Sequence, residues 1–242
     1  MDVPPLPAIK APRVTDTVVQ MLREGIVSRA FAPGSKINVD EVAKQLHVSR
    51  TPVHEALTVL AAEGLVEVQP RRGTYVAEFT PDDYAETLDL RRALELLACE
   101  TACIRATDQD VAALEDLMHR MERSVREGRD VAARAKAHDA CNLEFHQRLV
   151  ELSGNRRLLS LYADLRAHVR IARAHLNAST WLARVPIETA EHAAIVEALR
   201  RRDVAAMQRA LDAHLRRSSA SLIEDVVATE RGRSDRTRNR NA

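Results

Sequence analysis

Between His47 and Val76 the chain reads HVSRTPVHEALTVLAAEGLVEVQPRRGTYV, and the spacing of its apolar residues changes partway along. Val53, Ala56, Leu57 and Leu60 repeat at the period of one helical face. Ser49 stands at the N-cap, Pro52 falls in the first turn where its missing N–H costs nothing, and Gly64 stops the helix. Beyond it, residues 65–69 and 74–78 alternate at period two, joined by Pro70-Arg71-Arg72-Gly73. A capped helix followed at once by a hairpin with two arginines at its tip is the predicted outcome.

The residues before this run supply its support. Thr15 is placed to cap a helix reaching Ala30, with Val18, Val19, Leu22, Ile26 and Val27 as its apolar stripe. Pro33-Gly34 marks a turn. Asn38 then opens a short helix, and Glu41 three residues on completes a capping-box-like signature over the core positions Val42, Ala43 and Leu46. Short helix, tight turn, second helix and basic hairpin make a winged helix-turn-helix. In that arrangement the leading residues of the second helix, Ser49, Arg50, Thr51 and His54, meet base edges. Arg50 suits a bidentate contact to guanine, and Thr51 suits a phosphate or a thymine methyl. First-turn N–H groups hold phosphate, and Arg71 and Arg72 suit a wing that reaches the backbone or minor groove. Any one of these arginines alone is more often solvated surface; the ordered series carries the reading.

Thr80-Pro81-Asp82-Asp83 is a helix start, with a cap, a proline at the first position and acids near the positive dipole end. A domain boundary is therefore expected near residue 79. Predicted helices follow at 81–106, 108–127, 130–152, 156–176, 187–201 and 203–228, with breaks at Ser153-Gly154-Asn155 and across Asn177, Trp181 and Pro186. The expected organisation is a proline-rich loose arm over 1–13, a winged helix-turn-helix over 14–79, an all-helical bundle over 80–228 and a disordered tail over 229–242, which lacks apolar content. The fold class is mostly α, with one small β-hairpin.

Composition excludes more than it identifies. A net charge of +1 over 242 residues announces no nucleic-acid partner in bulk, so the placement of charges matters rather than their number. Cys99, Cys103 and Cys141, an odd set with no paired framework, point to reduced thiols and a cytoplasmic home. Cys99 and Cys103 lie one helical turn apart, either as a metal pair or as small buried hydrophobes, the commoner use of free cysteine. There is no signal-like N-terminal segment, and no apolar run of about 18 residues to span a membrane.

A second constellation lies in the helical part. His146, His192 and His214 fall on three different predicted helices, each among apolar neighbours. Three imidazoles from three bundle helices can converge on a divalent cation and leave positions open for water or an acid. Asn142, one turn before His146, adds a carbonyl oxygen on the same face. Taken alone, a histidine on an apolar face is usually a hydrogen-bonded core residue, and these three have no diagnostic spacing.

The pattern PGSKI…EVAKQLHVSRTPVHEALTVLAAEGLVEVQPRRGTYV resembles the N-terminal domain of GntR-family transcription regulators in the FadR-like branch, and the resemblance runs from about Thr15 to about Val227. It implies an all-helical FCD domain of the shorter, VanR-like, six-helix type. It also implies DNA contacts by Arg50, Thr51 and His54 with Arg72 and Gly73 on the wing. Two positions depart from the pattern. His54 stands where the family usually has Arg, and Asp40 stands where some relatives carry a DNA-contacting Arg. Metal-binding members place an Asp and three His in these motifs. His146, His192 and His214 match the three, with Asn142 in place of the Asp and zinc as the expected metal. Arg91 matches an arginine expected to clamp a small carboxylate effector; Arg92, Arg166 and Arg170 read as surface. The implied protein is a homodimeric, cytoplasmic repressor on a palindromic double-stranded operator, with no organic cofactor and no enzymatic activity. Two alternatives stay open: a regulator that answers to metal alone, and a metal-dependent hydrolase. The hydrolase lacks both an H-E-x-x-H motif and an evident general base.

Overall fold

A computed structural model describes residues 14–175 and 177–240, so the predicted arm over 1–13 lies outside the described residues. The chain divides into two compact units, Met1–Glu78 and Phe79–Ala242.

In the first unit, α1 (Val14–Val27) buries Val18, Val19, Leu22, Ile26 and Val27. It packs against α3 (Arg50–Ala62), whose buried face is Val53, Ala56, Leu57 and Leu60. Thr15 lies inside α1 rather than capping it, and its hydroxyl donates to Glu55 Oε2 at 2.6 Å. Arg23 ties the far end of the pair by donating to both carboxylate oxygens of Glu63. Between them α2 (Val39–Gln45) is capped by Asn38, whose side-chain oxygen accepts from the N–H groups of Asp40 and Glu41. Ser49 has the extended backbone of an N-cap but makes no side-chain cap bond.

The hairpin forms as β2 (Val66–Gln69) and β3 (Gly73–Val76), with Gln69 opposite Gly73. The sheet is one strand larger than the sequence indicates. A two-residue strand, β1 (Lys36–Ile37), pairs antiparallel with β3 and gives the order β1-β3-β2. Two residues are too few to show an alternating pattern, and that is why the strand is invisible in the sequence.

The second unit is helical throughout its described residues: α4 (Pro81–Arg105), α5 (Asp108–Arg126), α6 (Val131–Leu152), α7 (Arg156–Arg173), α8 (Ala178–Arg200) and α9 (Val204–Arg240). Thr80 caps α4 with a full capping box, accepting from the Asp83 N–H while Asp83 accepts from its own. Cys99, Leu114, Phe145, Ile195, Leu199 and Leu211 form the centre of one apolar core. All three cysteines are free and buried, and burial pushes the Cys99 thiol up to about 12.

Two elements differ from expectation. The break expected across Asn177, Trp181 and Pro186 is instead the first half of α8, with Pro186 inside the helix. Trp181, Val185, Glu188, His192, Ile195 and Leu199 share one buried face, and that burial outweighs a proline penalty of about 3 kcal/mol. Leu182, whose carbonyl loses its proline-side donor, is exposed to water. At the other end α9 remains helical to Arg240, through the segment the composition marks as disordered. A helix already nucleated extends at one hydrogen bond per residue fixed, without needing an apolar stripe. No helix among the described residues is long and apolar enough to cross a membrane.

Candidate nucleic-acid interface and candidate metal centre

The period of α3 puts its working residues opposite its core. Val53, Ala56, Leu57 and Leu60 are buried, whereas Ser49, Arg50, Thr51 and His54 are all exposed. Leu46 and left-handed His47 (φ 53°) form the turn that aims α3 away from α2. At the hairpin tip Arg71 and Arg72 are exposed, and Arg71 takes φ 63° to close the turn. Gly73 has a conformational reason to be glycine. Its φ is 118°, and a Cβ there would stand 2.7 Å from Lys36 Cε. Two contacts have no signal in the sequence. Lys36 brings a further cation against the hairpin, and Asp40 Oδ1 lies 2.5 Å from Arg50 Nε.

The three histidines converge. His146 on α6, His192 on α8 and His214 on α9 are almost wholly buried, and one nitrogen from each lies within 4.8 Å of the others. His146 Nε2 and His214 Nε2 are 3.1 Å apart. The other nitrogens of these two rings are committed to carboxylates: His146 Nδ1 to Glu95 at 2.6 Å and His214 Nδ1 to Glu191 at 2.7 Å. Those carboxylates are themselves held. Arg91 Nε and the Tyr162 hydroxyl donate to Glu95 at 2.7 and 2.9 Å, and Arg217 donates twice to Glu191.

Electrostatics fix the proton count. Burial alone would raise the Glu95 carboxyl, but His146 and cationic Arg91 beside it hold it far below the ordinary range. Burial likewise opposes ionisation of Glu191, yet hydrogen bonds from His214 and Arg217 bring it to about 2. His146 is pushed down to about 4 by burial, and His192 well below its usual value by burial and by the other two rings. His146 and His192 are therefore neutral at neutral pH. A neutral ring that gives its Nδ1–H to a carboxylate carries its lone pair on Nε2. With His214 Nδ1 likewise turned to Glu191, the two Nε2 atoms face each other at 3.1 Å, a separation that a proton or a bound cation between them satisfies. His192 Nε2 and Asn142 Oδ1 are likewise buried without a hydrogen-bond partner. Nitrogens about 2.0–2.1 Å from a tetrahedral zinc stand about 3.3 Å apart, and the His146–His214 separation of 3.1 Å suits such a cation. Outer carboxylates that orient metal-binding histidines are the usual support.

Of the remaining sequence candidates, Arg91 is buried against Glu95, with Nη2 unpartnered. Asn142 is wholly buried and gives its Nδ2–H to Glu188 at 2.7 Å. Glu95, Glu188 and Glu191 join the site without any sequence signal. Each contacts a partner between 23 and 51 residues distant, so no local spacing betrays them.

Comparison with known proteins agrees with this division. Residues 14–76 match the gntR family of bacterial regulatory proteins, and residues 86–217 match the FCD domain. The chain is 38% identical to the Nta operon transcriptional regulator of Aminobacter aminovorans over 61% of its own length and 67% of that protein. It is 32% identical to an HTH-type transcriptional regulator from an unstable DNA locus of Streptomyces ambofaciens, covering 81% of this chain and 79% of that one. The structure of E. coli McbR/YncC has the same fold, with a TM-score of 0.73 at 22% identity over 89% of this chain and all of that one. The gntR family is one of bacterial regulatory proteins, and the relatives named from Aminobacter aminovorans and Streptomyces ambofaciens are transcriptional regulators. The chain accordingly belongs to the GntR family of bacterial transcription regulators, with an FCD domain as its helical unit.

Proposed function

We propose that this regulator is a homodimeric, cytoplasmic repressor that reads a palindromic operator and releases it in response to a small carboxylic acid. The observation that carries the sensing half is the convergence of three buried imidazoles whose inner nitrogens face one another. His146, His192 and His214, with the Asn142 carbonyl, would hold a divalent metal, zinc being the favoured ion. Bound there, the metal would supply a positive charge that attracts a carboxylate oxygen. Arg91 contributes differently than a free arginine would. Its Nε is engaged by Glu95, and Nη2 is left without a partner for a ligand to meet.

On the DNA side, Ser49, Arg50, Thr51 and His54 would enter the major groove, with Arg71, Arg72 and Gly73 on the wing. Dimerisation is supported by Leu90, Leu97 and Ile104, which are 56, 63 and 71% exposed at intervals of seven along α4. That spacing forms a row suited to a second copy. An acid that prefers one arrangement of the helical unit shifts operator affinity by its differential binding, typically about 1–3 kcal/mol.

The test is a gel shift of the full chain on its own promoter region, with zinc or a chelator and with a panel of mono-, di- and tricarboxylic acids. Zinc-dependent release by one acid class is the expected result. Release that follows zinc with no acid would favour the metal-only regulator. Indifference to every addition would overturn the sensing half of the proposal.

A further inference from the structure

We infer that Glu188 decides which end of the Asn142 amide is presented to the three-imidazole centre, and so acts as a positioning residue for a neutral oxygen donor. This rests on the metal reading above and adds a residue to it.

Two of the rungs at which helices α6 and α8 meet bear on the centre. Asn142 precedes His146 by one turn on α6, and Glu188 precedes His192 by one turn on α8. The upper rung is the ring contact of His146 and His192, at 5.6 Å between centroids. The lower rung is the hydrogen bond from Asn142 Nδ2 to Glu188 Oε1, at 2.7 Å. Both members of that lower rung are more than nine-tenths buried.

An amide has one donating and one accepting end, whereas a carboxylate only accepts. Glu188 therefore takes the NH2 end and turns Oδ1 the other way, where it is buried with no protein donor. His192 Nε2, one turn along α8 from Glu188, is in the same condition. Lone pairs buried without a donor are satisfied together by a cation. With the amide reversed, its oxygen would face the Glu188 carboxylate and its N–H groups would face the metal. Both contacts would be repulsive. Glu188 thus acts in the outer layer as an acceptor, and the inner layer receives a neutral oxygen.

The same logic couples the two positions. A carboxylate at position 142 would set two acceptors against each other, whereas Gln at position 188 would give that carboxylate a donor.

Chelator competition measures zinc affinity in the full chain, and thermal unfolding of the metal-free protein reports folding separately. Glu188→Met removes the acceptor and is expected to weaken zinc about 10- to 100-fold. Glu188→Gln, which keeps an accepting oxygen, is expected to stay close to the unaltered protein. Asn142→Asp combined with Glu188→Gln is expected to bind more tightly than Asn142→Asp alone. A Glu188→Met protein with lowered thermal stability and unchanged zinc affinity would overturn the inference. So would equal affinity in the Asn142→Asp protein with and without Glu188→Gln. An unaltered protein that takes no zinc would sink the metal reading itself and this inference with it.

Discussion

The two candidate sites treat their working side chains in opposite ways. In the DNA-binding unit Arg50 is 71% exposed, and the stability of α3 comes from its other face. In the FCD unit His146, His192 and His214 are at most 1% exposed and lie among the core residues themselves. An exposed site can change its chemistry and leave the fold alone. A buried one cannot, because each polar group must be matched by a partner or it destabilises the protein. The carboxylates behind the histidines are that match, so the proposed function and the folding would share the same atoms there.

The strongest way to break this contrast is at Arg91. Arg91→Met would leave the Glu95 carboxylate fully buried without its permanent cation. Removing one partner of a buried pair costs about 3–5 kcal/mol. The expected outcome is a large drop in the urea midpoint followed by Trp181 fluorescence, together with weaker zinc binding. Should the midpoint hold while only the response to acid disappears, Arg91 would behave as an exposed ligand contact does, and the contrast would fail.

Arg50→Ala tests the other side. Discrimination between operator and unrelated DNA is expected to fall by about 1–3 kcal/mol, with the unfolding midpoint unmoved. Equal loss on both DNAs would mean that Arg50 touches phosphate alone.

The contrast also explains what can be read from the chain in advance. The head is legible because its signals are local: the Asn38 cap, the stop at Gly64 and the alternation on either side of Pro70–Gly73 all lie within a few residues of what they control. The helical unit announces its helices through caps such as Thr80 and Asn155. It conceals the run of α8 through Pro186, since a local helix breaker is overruled by tertiary burial of Trp181 and Val185. The three histidines are identifiable only by resemblance. Their carboxylate partners are not identifiable at all, because Glu95 and His146 meet across 51 residues of chain.

The smallest effect expected is at Asp40, and it refines the exposed half of the comparison. Its carboxylate lies 2.5 Å from Arg50 Nε, with both side chains well exposed, at 62 and 71%. An exposed pair of this kind contributes only about 0.2–1 kcal/mol, so it does little for the fold. Its influence would lie in recognition. With Nε engaged, the two terminal nitrogens of Arg50 remain for the paired acceptors of guanine, and the guanidinium is held before DNA arrives. The same carboxylate also repels phosphate. Asp40→Ala is therefore expected to raise affinity for unrelated DNA, most clearly at low salt, where phosphate electrostatics dominate. Operator affinity would rise less, so the ratio of the two would fall by a few-fold. A simple electrostatic obstacle would raise both affinities alike and leave the ratio untouched. That result would leave Arg50 recognising its base without help from α2, and the exposed site would owe its specificity to α3 and the wing alone.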